Sequence, residues 1–304
     1  MTYCLEGKLL VSILDSGNGF STFTLNAGEM FYVTSGSLHF FENICDTTEA
    51  VLLVAFRAED PVDFSLQAAF GEMSDAVLGN TFGDSSEKWS RIKRDTQPRW
   101  IVKRESGEPR IPDPDHFPNP HKFNIEAQNP PILARSGNIH IGSAKTAKSQ
   151  FWPILDNISM YSVRVEEEGM REPHWHPQTG EMGYVNKGQA RMSIMNPDGC
   201  VDTYELRPGD VYFVPAAYPH QIEVIGKEDI HFLIFFDQPM PFDIGYRIAA
   251  TAMSRDVLAA TLGVPVHLLP KTPRTDEDPL IVARINPVDK VIRPEGTKGE
   301  EPIS

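Results

Sequence analysis

The chain has 304 residues, of which 40% are hydrophobic and 10% aromatic, so it can bury a core and is not disordered as a whole. Its 28 basic and 42 acidic residues give a net charge of -14, which argues against nucleic acid or an anionic membrane as partner. The apolar runs are too short to cross a bilayer, and the first residues lack the pattern of a signal peptide, so a cytoplasmic location is the default expectation.

Short runs rich in Val, Ile, Phe and Tyr recur between turn residues, which predicts an all-β sandwich or barrel. In chain order, examples are residues 8–14, 20–25, 29–33, 51–56, 158–165, 211–214 and 231–236. Two late helices are predicted where Ser74 and Ser254 can cap a first turn and where Gly83 and Gly263 can end the helix.

The two helices reveal an internal repeat. The pattern Met-Ser-x-x-Val-Leu-x-x-Thr-x-Gly starts at Met73 and again at Met253, and upstream of it His39 aligns with His220. Repetition of a whole unit at a fixed spacing indicates duplication of one supersecondary structure. The chain therefore holds two copies of one β-unit, each followed by a helix.

Four residues of the second copy have the spacing of metal ligands. His174 and His176 are two positions apart, which places both imidazoles on one face of a strand. Glu181 can add a carboxylate from the start of the next strand, and His220 follows a Pro-Gly-Asp turn and a further strand. Three imidazoles and a carboxylate leave positions open for chemistry and suit manganese or iron, and they are compatible with nickel, copper or zinc. For any one of these histidines alone, a packed or surface imidazole is the alternative.

The string Gly-Met-Arg-Glu-Pro-His-Trp-His, from Gly169 to His176, resembles the bicupin oxalate decarboxylases and germin-like proteins of the cupin superfamily. The resemblance covers essentially the whole chain, with a departure at Ala217, where the general cupin motif has glycine. It implies an all-β fold of two cupin units, double-stranded β-helices of the jelly-roll type, each followed by a short helical segment. It also implies Mn²⁺ at the four residues above, with Fe²⁺ or another divalent metal as the alternative, and a homo-oligomer, a trimer or a hexamer.

The resemblance divides the chain into four segments. These are a partial first cupin, a proline-rich linker, a complete second cupin with the metal site and an extended tail, over residues 1–90, 91–131, 132–270 and 271–304. Within the tail, only residues 280–285 have the composition to pack. The first copy keeps His39, but its counterpart of Glu181 would precede Met1. We expect a first cupin truncated at its N-terminus; a genuine remnant that supports the second cupin is the alternative.

The resemblance also implies two further site residues. Arg171 is expected to point into the cavity and to bind a small carboxylate substrate, which suits the fork of a guanidinium. The alternative for Arg171 is a surface salt bridge with a glutamate of residues 166–168. The family carries a proton-donating glutamate on a lid after the last strand, and here Asp243 is the best-placed acid. The alternative for Asp243 is a structural cap, because Asp63 occupies the same position in the first copy.

The leading hypothesis for function is a manganese-dependent decarboxylase that converts oxalate, or a similar small carboxylate, to formate and carbon dioxide. A metal-dependent oxidase or dioxygenase on the same fold is the first alternative. A non-enzymatic storage or stress protein of the spherulin kind is the second, and the retention of all four ligand residues argues against it. The fold alone does not choose among the three.

Overall fold

A computed structural model of the protein describes residues 1–17, 19–63, 65–92, 94, 99–104 and 119–288. The chain forms two compact units, a larger one of Met1–Ala55 and Ile111–Ser304 and a smaller one of Phe56–Arg110. Residues 105–118 of the predicted linker and residues 289–304 of the predicted tail lie outside the described residues. No helix among the residues that the structure describes is long and apolar enough to cross a membrane.

Among the described residues, the first copy contributes six strands to the larger unit, and the predicted linker adds a seventh. They are β1 (Thr2–Glu6), β2 (Lys8–Leu14), β3 (Phe20–Asn26), β4 (Met30–Phe31), β5 (Leu38–Asn43), β6 (Val51–Val54) and β7 (Lys122–Phe123). One sheet has the order β6-β1-β4-β7 and the other β3-β2-β5. Val11, Ile13 and Phe23 are fully buried between them. The duplicated unit thus builds its own small sandwich core.

The smaller unit consists of short helices. They are α1 (Leu66–Gly71), α2 (Asp75–Phe82) and α3 (Ser86–Trp89). As predicted, the Ser74 hydroxyl accepts from the amide of Val77 at the start of α2, and Gly83 ends α2 in a left-handed conformation with φ of 69°. The Phe82 and Trp89 rings stack with centroids 4.8 Å apart. This stack supplies the apolar contact that short helices need, since they are not stable alone.

The second copy is larger and contains two six-stranded sheets, two α-helices and one 3-10 turn. The strands are β8 (Ile132–Ser136), β9 (Ile139–Ala147), β10 (Ser159–Val165), β11 (Gly169–Trp175), β12 (Glu181–Lys187), β13 (Ala190–Met195), β14 (Val201–Leu206), β15 (Val211–Val214), β16 (His220–Val224), β17 (Ile230–Phe236), β18 (Ile244–Gly245) and β19 (Ile281–Ala283). The helices are α4 (Tyr246–Thr251), α5 (Arg255–Thr261) and a 3-10 turn at Val266–Leu268. The strand orders are β15-β12-β17-β10-β9-β8 and β14-β13-β16-β11-β18, and β19 pairs with β11. The predicted all-β architecture of two repeated units is confirmed.

Strand β17 is buried along its whole length. Phe232 and Ile234 point into the sandwich of the second copy, whereas Leu233 and Phe235 pack with side chains of the first copy. Because side chains alternate along a strand, a strand covered on both faces needs apolar residues at successive positions, as residues 232–236 are here. The two copies therefore share a core across one sheet of the second copy.

The described end of the predicted linker differs from a surface segment. Residues 119–131 include β7, which pairs with β4, and Ile125, which is fully buried in the core between the copies. The indole of Trp152 donates to the carbonyl of Pro120 at 2.7 Å. The proline content of this segment predicted a linker, but at this end Ile125 occupies a buried position that the composition does not reveal.

A buried polar network lies on the face of β10 and β17 that packs toward the first copy. Ser162 Oγ lies 2.8 Å from His231 Nε2 and donates to Glu126 Oε1 at 2.6 Å. The side-chain amide of Asn186 lies 2.8 Å from His231 Nδ1. Burial and the charge of Arg164 lower the pKa of His231 to about 4. The imidazole is therefore held neutral in the folded chain.

We expect the free energy of unfolding to fall as the pH is lowered from about 6.5 to about 4. The unfolded chain binds a proton at His231 below pH 6.5, whereas the folded chain resists it down to about pH 4. The resulting loss of unfolding free energy over this pH range is up to about 3 kcal/mol. Urea unfolding across this range measures it, and His231→Gln should flatten the curve. If the unfolding free energy of the variant depended on pH as steeply as that of the wild type, His231 would not be the group responsible.

Candidate metal centre

The ends of three strands position the four predicted ligands. His174 lies in β11 with His176 directly after that strand, Glu181 begins β12, and His220 begins β16. His174 and His220 are cross-strand neighbours in one sheet, and β12 belongs to the facing sheet. The structure therefore brings the four side chains together between the two sheets of the second copy.

The donor atoms of this cluster all lie within 4.8 Å of one another, and all four residues are buried. Glu181 Oε2 is 2.9 Å from His176 Nε2 and 3.4 Å from His220 Nε2. The His220 Nε2 atom makes no hydrogen bond although it is buried. A buried polar atom that makes no hydrogen bond is costly even with a carboxylate oxygen 3.4 Å away, and a cation in the cluster would satisfy it.

Outer contacts fix the ring orientations. His174 Nδ1 lies 2.9 Å from the Glu172 carbonyl oxygen, and His220 Nδ1 lies 2.9 Å from that of Tyr218. A carbonyl only accepts, so Nδ1 carries the proton and the lone pair of Nε2 faces the cluster. Burial and neighbouring positive charge lower the pKa of His174 far below its usual range. Burial raises the pKa of Glu181, but the adjacent imidazoles outweigh it and the net pKa is well below normal. Burial lowers the pKa of His176, but the carboxylates of Asp243 and Glu181 outweigh it and raise the pKa to about 9, so a metal ion that binds here displaces a proton from this imidazole. Three imidazoles around an ionised carboxylate fit a divalent metal ion.

Tyr212 is a contact of the site that the sequence analysis missed. Its hydroxyl donates to Glu181 Oε1 at 2.7 Å, which leaves Oε2 to face the imidazoles. The ring fits because Gly183 has no side chain: a Cβ there would lie 2.1 Å from the Tyr212 ring. Only the pairing of β12 with β15, which aligns Gly183 with Tyr212, reveals this contact.

We expect Tyr212→Phe to weaken metal binding roughly 10- to 100-fold, the usual effect of losing an outer hydrogen bond to a ligand. The variant leaves Glu181 Oε1 without its donor and frees the carboxylate to rotate. Calorimetric titration of the metal-free protein with Mn²⁺ measures the change. Tyr184→Phe is the matched control, because Tyr184 packs against the core between the copies. Equal affinities in both variants would refute the contact's role.

Ala217 supports the same site from a turn. Its amide donates to the carbonyl of His176 at 2.8 Å. Its φ of 67° lies in the left-handed region that favours glycine. The glycine of the general cupin motif is therefore explained by backbone conformation, and alanine here occupies a strained position.

Arg171 points into the cavity and not to the surface. One guanidinium nitrogen, Nη2, forms an ion pair with Asp243 Oδ2, and Nη1 donates to the carbonyl of Leu280 at 2.8 Å. The predicted alternative, a salt bridge to the glutamates of residues 166–168, is wrong for Arg171. Glu166 instead lies 3.2 Å from His140 Nδ1.

Asp243 is not a helix cap. Gly245 is the N-cap residue of α4, which has no side-chain cap bond, and the equivalent α1 is capped by Ser65. Asp63, at the repeat position, is exposed. Asp243 Oδ1 instead lies 2.9 Å from His176 Nδ1, so this carboxylate contacts both a ligand and Arg171. The role of proton donor stays a prediction.

These groups surround a small cavity of about 40 Å³. Its polar lining consists of Arg171, Asp243, Tyr161 and three of the four ligands. Its apolar lining includes Ile132, Val163, Ile222, Phe232, Ile234, Phe236, Leu280 and Ile281. The volume admits only a small ligand. In the first copy His39 is exposed on β5, apart from such a cluster.

Comparison with known proteins identifies the fold family. The sequence profile of the family described as Cupin matches residues 1–89 and 124–266. The chain belongs to the cupin family. Oxalate decarboxylase OxdC of Bacillus subtilis is 28% identical to this cupin over 245 residues, which cover 77% of this cupin and 60% of that protein. A probable oxalate decarboxylase of Arthroderma benhamiae is 22% identical over 277 residues, 88% of this cupin and 66% of that protein.

A solved structure, from work on the Mn(II) centres in Bacillus subtilis oxalate decarboxylase, has a TM-score of 0.71 to this cupin at 25% identity. The superposition covers 93% of this cupin and 74% of the solved chain. The resemblance to bicupins of the oxalate decarboxylase kind is therefore confirmed. This cupin spans 60% and 66% of the lengths of the two sequence relatives.

Proposed function

We propose that this cupin is a manganese-dependent decarboxylase of oxalate or a similar small carboxylate. The observation that carries the proposal is one small cavity that combines three of the four clustered metal donors with the guanidinium of Arg171. The similarity to oxalate decarboxylases, and the Mn(II) centres of one of them, support the choice of substrate and metal.

Each group has a role in this reaction. His174, His176, Glu181 and His220 would hold the metal, which when bound supplies a Lewis acid for a substrate carboxylate. Arg171 orients the substrate through its charge, and the apolar walls exclude water from the reacting carbon. The carbon–carbon bond of oxalate breaks, carbon dioxide leaves, and a proton adds to the remaining carbon to give formate.

One observation favours an oxidase as the second candidate. Both oxygens of Asp243 face nitrogen donors, from His176 and Arg171, so this carboxylate holds no proton to deliver in the geometry shown. Without a proton donor, the same donor set can support oxidation of the substrate by dioxygen to carbon dioxide and hydrogen peroxide. A storage or stress role makes no use of the four buried donors.

Product analysis separates these functions. The purified protein is analysed for bound metal, loaded with Mn²⁺ and incubated with oxalate, and formate and hydrogen peroxide are assayed separately. Formate in proportion to oxalate consumed supports the decarboxylase, and peroxide supports the oxidase. A protein that binds metal but consumes no oxalate would refute both for this substrate.

We also propose a homo-oligomer, a trimer or a hexamer as the family resemblance implies. Met182, Val211 and Phe213 lie on the paired strands β12 and β15 with about half of each side chain exposed. An apolar patch of this kind marks a surface for association. Light scattering of the purified protein measures its mass, and a monomer at micromolar concentration would contradict the proposal.

A further inference from the structure

The cavity beside the metal donors contains one pair of opposite charges. Arg171 and Asp243 form an ion pair in which only 12% and 14% of the two side chains are exposed. The other terminal nitrogen of Arg171 donates to the carbonyl of Leu280. Both terminal nitrogens therefore have partners already. A substrate carboxylate that approaches this guanidinium therefore meets the negative charge of the protein's own carboxylate beside it.

Asp243 is held in this position from two sides. Its second oxygen lies 2.9 Å from Nδ1 of His176, whose Nε2 faces Glu181. A carboxylate behind a ligand imidazole fixes the ring and its tautomer. Displacement of Asp243 from Arg171 therefore also acts on the metal cluster, which makes the displacement costly.

The charges that line the cavity can be compared with those of a ligand. Arg171 is positive, Asp243 and Glu181 are negative, and imidazoles that bind a metal are neutral. With a divalent metal, these groups leave one net positive charge. A singly charged ligand neutralises it, whereas a doubly charged ligand leaves excess negative charge among apolar walls, which is unfavourable.

We propose that Asp243 sets the charge of the ligand that this cavity accepts. By occupying Arg171, it favours singly charged carboxylates, including the monoprotonated form of a dicarboxylic acid, over fully ionised dicarboxylates. The inference rests on the proposed carboxylate-binding function and makes Asp243 a specificity-determining residue of that site.

Binding of two ligands of similar size tests the inference. Glyoxylate is singly charged and oxalate doubly charged at pH 7.5, and each is titrated calorimetrically into the Mn²⁺-loaded protein, with metal content measured after each titration. Asp243→Asn keeps the size of the side chain and removes its charge. We expect the ratio of oxalate affinity to glyoxylate affinity to rise by about tenfold or more in this variant. If Asp243 had only a structural role, the variant would weaken the binding of both ligands alike and leave the ratio of affinities unchanged.

Glu166→Gln is the matched control, because it removes a carboxylate near the surface of the same copy and should leave the ratio as in the wild type. Asp243→Ala is the second variant, since it cannot hydrogen-bond to Arg171 at all. An unchanged ratio in both Asp243 variants, with both ligands still bound, overturns this inference alone. If the metal-loaded wild type binds neither glyoxylate nor oxalate, the proposed function is overturned together with this inference.

Discussion

Replacement of His176 by alanine is expected to abolish stoichiometric metal binding. The Nε2 atom of this imidazole lies 2.9 Å from Glu181 Oε2 in the donor cluster. Its loss therefore removes one of the four donors and leaves a cavity where the ring was. Loss of an outer contact alone typically costs 10- to 100-fold in affinity, and loss of a ligand should exceed about 100-fold. Elemental analysis after dialysis against Mn²⁺ measures the result.

The matched control for this experiment is His140→Ala. His140 is a partly exposed histidine of the same copy that pairs with Glu166 and lies outside the cluster. It should retain one metal ion per chain. If His176→Ala retained the same metal content as the control, the cluster would not be the metal site.

The second large effect concerns Arg171. Arg171→Ala should keep the metal but weaken carboxylate binding by about 2 to 4 kcal/mol, because a buried charge that pairs with the ligand is lost. The same change leaves Asp243 buried without its partner, which should destabilise the fold by about 3 kcal/mol or more. Calorimetric titration with glyoxylate and urea unfolding measure the two effects separately.

A double variant distinguishes these two effects. Arg171→Ala combined with Asp243→Asn removes the unpaired charge and should recover most of the lost stability. Carboxylate binding should stay weak, because the guanidinium is still absent. Recovery of binding in the double variant would show that Arg171 holds the fold and not the ligand.

The donor cluster could be predicted because its signals are local. The spacing of His174 and His176 follows from the period of a strand, and the Pro-Gly-Asp turn before His220 marks the start of the returning strands. Strands β2 and β15 have the predicted bounds for the same reason. Helix α2 has its predicted cap at Ser74, since capping depends only on neighbouring residues.

The environment of Arg171 could not be predicted in this way. Its two partners are Asp243 and Leu280, which are 72 and 109 positions away along the chain. Their contact depends on the pairing of β11 with β18 and β19, and no local pattern encodes such a pairing. The same holds for residues 119–131, whose burial depends on a distant strand of the first copy.

The position of the donors at the ends of β11, β12 and β16 has a thermodynamic consequence. These strands belong to two facing sheets, so an ion held by all four side chains joins the layers as a cross-link would. A ligand that binds only the folded chain adds about 2.7 kcal/mol to stability when its free concentration is 100 times Kd. The availability of the ion thereby sets how firmly the two layers of the second copy are held together at this end of the sandwich.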